Sequence, residues 1–141
     1  MKVKNKFLKT IFILVGIAFI VFVLLQLVPY GKNLDNPPVT NPIQWKNAQA
    51  EEIARRACYD CHSNESVWPW YANVAPSSWL LQMDVEKGRR FLNFSTGEGI
   101  DLEEISEVLE DDYMPPARYL LLHPEARLSQ AEKDTLINGL P

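Results

Sequence analysis

The chain has 141 residues, with 14 basic, 18 acidic and 2 histidine side chains and a net charge of −4. The charge is unevenly placed: the first 28 residues hold four lysines and no acid, which leaves 10 basic and 18 acidic residues beyond them, a net of −8. Such a balance argues against nucleic acid or anionic lipid as a partner of the larger part, permits docking to a basic patch on another protein, and serves solubility equally well.

Lys2, Lys4, Lys6 and Lys9 precede an apolar run from Ile11 to Val28 whose only polar side chain is Gln26. Eighteen residues at about 1.5 Å each come to about 27 Å, close to the hydrocarbon thickness of a bilayer. A cleaved signal peptide would have a shorter apolar region ending in a small-x-small site, whereas this run ends in Leu27, Val28, Pro29 and Tyr30, so residues 1–28 read as an uncleaved signal anchor, a single transmembrane helix. The lysine flank places the amino terminus in the cytoplasm and everything after Tyr30 outside the membrane, in the periplasm or its equivalent. Gln26 reads as a polar residue snorkelling at the outer end. Residues 29–42 are rich in Pro, Asn, Gly and Asp and read as a linker, whose extended form at about 3.1 Å per residue would reach about 40 Å. Residues 43–141 then form one small domain with a modest core.

Asn47 suits the N-cap of a helix in which Ala50, Ile53, Ala54, Ala57 and Cys61 recur on one stripe. That helix leads into Cys58-Tyr59-Asp60-Cys61-His62, a C-x-x-C-H pattern holding both cysteines and one of the two histidines. The pattern is that of a c-type haem attachment site. Two thiols on one helical turn can each reach a vinyl group of the same porphyrin, and the following imidazole is carried to one face of the ring as an axial ligand of the iron. Three other readings share the residues. A thioredoxin-like dithiol would want a βαβ setting that is not visible, a Cys2His2 zinc site would need His123 and would force adjacent Cys61 and His62 onto one ion, and a plain disulfide is the third.

Trp68, Trp70, Tyr71 and Trp79 follow in a stretch broken by prolines, and a loop so aromatic is expected to be buried, with an indole N–H available to a haem propionate. A helix is expected from Pro76 or Ser77 to Lys87, closed by Gly88 at C′, with Met83 in the core and Arg89 and Arg90 able to pair with propionates. Phe91 to Gly99 reads as a loop. Asp101 and Glu104 open a third helix with Leu102, Ile105, Val108 and Leu109 on one face, expected to fray at Glu110, Asp111 and Asp112. Met114 comes next, before Pro115 and Pro116, and its thioether is a suitable soft sixth ligand for haem iron. A short helix from Ala117 to Leu122 would end at His123, the rival sixth ligand, and Ser129 with Glu132 forms a capping box for a last helix carrying Leu136, Ile137 and Leu140.

These motifs in combination, with Trp68-Pro69-Trp70-Tyr71, Leu92-Asn93-Phe94-Ser95, Met114-Pro115 and Leu122-His123-Pro124-Glu125-Ala126-Arg127-Leu128-Ser129, resemble the bacterial haem-binding domain family of small, membrane-anchored, single-haem cytochrome c-like proteins. The resemblance covers about Ile43 to Leu140. It implies an all-α domain around one covalent haem c held by Cys58, Cys61 and His62, with Met114 as the distal residue compatible with the family and His62 and Met114 as the two iron ligands. The short final helix departs from the family pattern and implies curtailed packing of last helix on first.

The expected function is one-electron transfer at the outer face of the membrane, with no catalytic residue, no nucleic-acid partner, and redox proteins or a membrane electron-transport complex as partners. The alternative is a haem-based ligand sensor or peroxidase-type enzyme with an open or displaceable distal site. A third reading has the domain merely hold haem for a larger complex.

Overall fold

The structure, a computed structural model, describes residues 2–141; the side chains of Lys2 and Lys4, part of the basic flank, lie outside the described residues. Among the described residues there are six α-helices and no strand: α1 (Lys2–Leu25), α2 (Ala48–Ala57), α3 (Tyr59–His62), α4 (Ser77–Phe91), α5 (Leu102–Glu110) and α6 (Gln130–Gly139). Single 3-10 turns lie at Trp70–Asn73, Tyr119–Leu121 and Pro124–Ala126. The fold is all-α, as the helical periodicities predict. Internal packing divides the chain into two units, Met1–Leu34 with Pro69–Gln82, and Asp35–Trp68 with Met83–Pro141.

In the first unit, Lys6–Leu25 of α1 is long and apolar enough to cross a membrane, the composition of an anchor or a signal sequence. Its apolar side chains are exposed along its length. Gln26 is not a free snorkelling group: its Nε2 donates to Ala75 O at 3.0 Å and its Oε1 accepts from Ala75 N–H at 3.0 Å, so one side chain satisfies both backbone groups of a residue 49 positions away. Gly31 then turns with φ +78° and presses on Ser78, where a Cβ would stand 2.7 Å from the Ser78 carbonyl carbon. Only glycine suits both demands.

In the second unit the local signals act as expected. Asn47 accepts from Ala50 N–H at 2.8 Å, a cap worth about 1 kcal/mol, and α2 buries Ala50, Ile53, Ala54 and Ala57. Ser129 and Glu132 form a complete capping box on α6. Phe94 lies at the centre of the core, stacked on Tyr59 at 5.4 Å, tilted against Trp45 at 5.3 Å, and surrounded by Ile53, Ile105, Leu109, Leu136 and Leu140.

Five expectations are corrected. The last helix is short but its packing is not curtailed, because bare Gly139 lets α6 close on α2: a Cβ there would fall 2.1 Å from Ala50 Cβ. The proline-rich stretch does not stand clear of the domain over its second half. Thr40 and Asn41 N–H donate to Ser95 O, Ile43 N–H donates to Phe94 O, and Pro38 O accepts from Asn64 Nδ2. Proline lacks a donor but keeps its acceptor, so the segment can be held by its neighbours' side chains. Helix α4 continues through Gly88 to Phe91, and the expected helix from Ala117 to Leu122 is only the 3-10 turn Tyr119–Leu121. Finally, α5 does not fray. Asp112 adopts φ +57°, Asp112 N–H donates to Leu109 O at 3.3 Å and Tyr113 N–H to Val108 O at 3.0 Å, the two bonds of a Schellman turn with aspartate in glycine's place. The Asp112 carboxylate accepts from Lys133 Nζ at 2.6 Å, pairing a lysine side chain only 6% exposed.

Candidate functional site

The C-x-x-C-H segment is a single helical turn set at an angle to α2. Cys58 N–H closes α2 on Ala54 O at 2.8 Å, while Cys58 O opens α3 by accepting from Cys61 and His62 N–H at 3.1 and 2.9 Å. The two intervening residues hold this turn in place. Tyr59 is buried against Phe94, receives the Trp45 indole N–H on its hydroxyl at 3.2 Å, and lies under the Arg55 guanidinium at 4.6 Å. Asp60 accepts Val67 N–H on Oδ1 at 3.0 Å and the Tyr119 hydroxyl on Oδ2 at 2.8 Å. Tyr59 is the buried member of the segment, and Cys58, Asp60, Cys61 and His62 are half-buried.

His62 is oriented by the loop after α4. Its Nδ1 lies 3.2 Å from Leu92 O, and its own carbonyl accepts from Phe94 N–H at 2.9 Å. A ring nitrogen facing a carbonyl is the protonated one, so this contact assigns the proton to Nδ1 and leaves the Nε2 lone pair to bind a metal. Burial holds the imidazole below its ordinary pKa, which favours the neutral, ligating form. The loop is itself fixed by a buried polar network: Asn93 Nδ2 donates to Asn64 Oδ1, Asn64 N–H to Ser95 Oγ, and Ser95 N–H to Asn93 Oδ1, all at 2.9 Å. Gly88 brings α4 against the motif, since a Cβ at that position would stand 2.3 Å from Cys61 O. Gly88 is therefore a close-contact residue and not the C′ residue expected.

Both cysteines are free, and burial pushes each thiol up to about 12. A dithiol oxidoreductase needs the opposite, a thiol lowered toward neutral pH by positive surroundings. The zinc reading fails on placement: among the described residues no three His, Cys, Asp or Glu side chains are gathered to hold a metal ion, so His123 does not complete a set with Cys58, Cys61 and His62.

Met114 follows the Schellman turn, donates its N–H to Val108 O at 3.1 Å, and is 37% exposed. Its segment returns to the motif a few residues later. Arg118 pairs with Asp84 at 2.6 Å, Tyr119 reaches Asp60, and Arg118 and Asp84 both act electrostatically on Cys61. His123 stacks on Tyr119 with ring centroids 4.2 Å apart and sets Nδ1 3.1 Å from Glu125 Oε1. Arg89 is occupied by Ser63 O at 2.7 Å, Asn36 Oδ1 at 2.8 Å and Ser66 Oγ at 3.0 Å, a structural clamp over the segment after His62. The aromatic stretch is not uniformly buried: Trp70 is 80% exposed, while Trp68 keeps a buried indole N–H with no hydrogen-bond partner among the described residues.

Leu92, Gly88 and the Asp60–Tyr119 pair position the motif, a role that the sequence motifs assign to none of them. A glycine among good helix formers is the one visible signal, and it was equally compatible with a helix end.

The donor set fits a haem. Two neutral thiols share one turn, one imidazole presents Nε2 with Nδ1 engaged, and the buried Trp68 N–H can meet an acceptor such as a propionate. Compared with known protein families, the chain matches the haem-binding domain over residues 20–141. Comparisons with curated proteins and with solved structures returned no match. With most of its length so matched, the chain belongs to the haem-binding domain family.

Proposed function

We propose that this haem-binding protein is a membrane-anchored c-type cytochrome that carries single electrons on the outer side of the membrane. A bound haem would supply reversible one-electron chemistry at iron. Cys58 and Cys61 would hold the porphyrin edge through thioethers, His62 Nε2 would be the proximal donor, and the Met114 thioether the distal one. The observation that carries the reading is the contact of His62 Nδ1 with Leu92 O, which presets one imidazole tautomer for metal binding within a C-x-x-C-H turn. Thioether ligation would favour ferrous iron and so raise the reduction potential. The lysine flank of α1 supports a cytoplasmic amino terminus, and the two bonds from Gln26 to Ala75 support an anchor retained in the mature protein.

The test is an absorption spectrum of the chain matured with a haem-attachment system. Pigment that stays with the denatured protein in acidified organic solvent is expected, as is a sulfur-to-iron charge-transfer band lost in Met114→Ala. Pigment extracted from the denatured protein would overturn covalent attachment, and an unchanged band would overturn Met114. The exposure of Met114 and the stacked Tyr119 and His123 favour a second reading, a ligand sensor or peroxidase-type site. Rapid carbon monoxide binding by the reduced wild-type protein would select it.

A further inference from the structure

The unit built on α1 contains a second stretch, Pro69–Gln82, with a composition unlike the rest of the chain. Its fourteen residues include no Asp, Glu, Lys or Arg, although charged residues make up 23% of the chain, and they include Trp70, Tyr71 and Trp79. Between Gln26 and Leu34 the same unit has one charge, Lys32, whose Nζ caps the helix end on Gln26 O at 2.6 Å. Most soluble segments rely on charge for solvation. This one lacks it, yet leaves Trp70 80% and Leu80 42% exposed.

Its depth follows from contacts already described. The twenty residues Lys6–Leu25 would span about 30 Å, so Gln26 marks the outer limit of the hydrocarbon. Gln26 bonds both backbone groups of Ala75, and Gly31 presses on Ser78. These ties hold Pro69–Gln82 at the level of the lipid headgroups, continuous with exposed Leu27 and Tyr30 at the end of α1. Tryptophan and tyrosine concentrate at that depth, where an apolar ring and a polar N–H or O–H are both satisfied.

We propose that Pro69–Gln82 is a second membrane contact, an uncharged aromatic segment seated in the outer headgroup layer with Trp70 as its principal side chain. The bilayer is the occupant because the segment is joined to the end of a lipid-exposed helix and carries no charge to pair with a protein or an anionic headgroup. The proposal rests on α1 spanning the membrane, and the experiment reports the two separately.

The haem-loaded full chain is placed in phosphatidylcholine vesicles containing either a lipid with a diazirine near the glycerol or one with the diazirine at the chain end. After photolysis, labelled peptides are mapped by mass spectrometry. The shallow probe is expected to label residues 69–80 and 26–30, the deep probe only the middle of α1, and Trp70→Ala is expected to cut shallow labelling of 69–80 severalfold while leaving α1 labelling unchanged. Labelling of α1 by both probes with none on 69–80, and Trp70 still open to a water-soluble oxidant, would overturn the second contact and leave the anchor standing. No label on residues 6–25 would overturn both.

Discussion

His62 and Met114, the two residues proposed to bracket the iron, stand in unlike surroundings. His62 is gripped at its ring nitrogen and its carbonyl by the Leu92–Phe94 loop, is backed by the closed network of Asn64, Asn93 and Ser95, and is crowded by α4 at Gly88. Met114 has one backbone bond behind it, and Tyr113 before it and Leu121 and Leu122 later in the same segment are mostly exposed. The histidine is therefore set by many mutually dependent contacts, and the methionine by a single helix-ending turn. Rigidity on the histidine side preserves a tautomer that chemistry requires, while a soft thioether needs less exact placement.

The largest effect expected from disturbing this contrast is on the histidine side. Gly88→Ala would drive a Cβ into the Cys61 backbone carbonyl, where no rotamer change relieves the overlap. A loss of about 3 kcal/mol in denaturant-measured stability is expected, with a lower yield of attached pigment. Asp112→Ala attacks the other side. It places an ordinary residue at φ +57° and removes the partner of buried Lys133, for a cost of about 2 kcal/mol; Asp112→Asn, which tolerates the backbone, should cost less. Comparing the Met114 charge-transfer band in the two Asp112 variants shows whether the turn positions the thioether.

Tyr119→Phe removes the hydroxyl that joins the distal segment to Asp60 of the motif, and a cost of about 1 kcal/mol is expected from thermal unfolding. The smallest effect concerns acid. The Ser129 backbone N–H and hydroxyl, with Arg56 nearby, hold the Glu132 carboxyl below its ordinary value of 4.5. A carboxyl lowered in the folded state contributes stability that is present above pH 4.5 and lost as pH falls through its folded value. Glu132→Gln should flatten that part of the stability profile below pH 4.5, measured by unfolding at fixed ionic strength, and an unchanged profile would remove Glu132 from the acid response.

The amino-acid order by itself determined what is local. Asn47, Asp101 and Ser129 each cap the helix they precede, because a capping side chain needs only the N–H groups two or three positions ahead. The apolar stripe of α2, the length of α1 and the C-x-x-C-H turn are legible for the same reason: period and spacing along one helix carry them. The tertiary structure alone decided what crosses the chain. The partner of His62 is a backbone carbonyl, a group every residue possesses, so nothing in the identity of Leu92 marks it out. Gly88 and Gly139 look alike as helix enders until an opposing backbone or side chain reveals that each is bare to permit close approach. Gln26 reads as a lone polar residue at a membrane edge, and only the fold supplies Ala75, whose two backbone groups its amide was suited to satisfy.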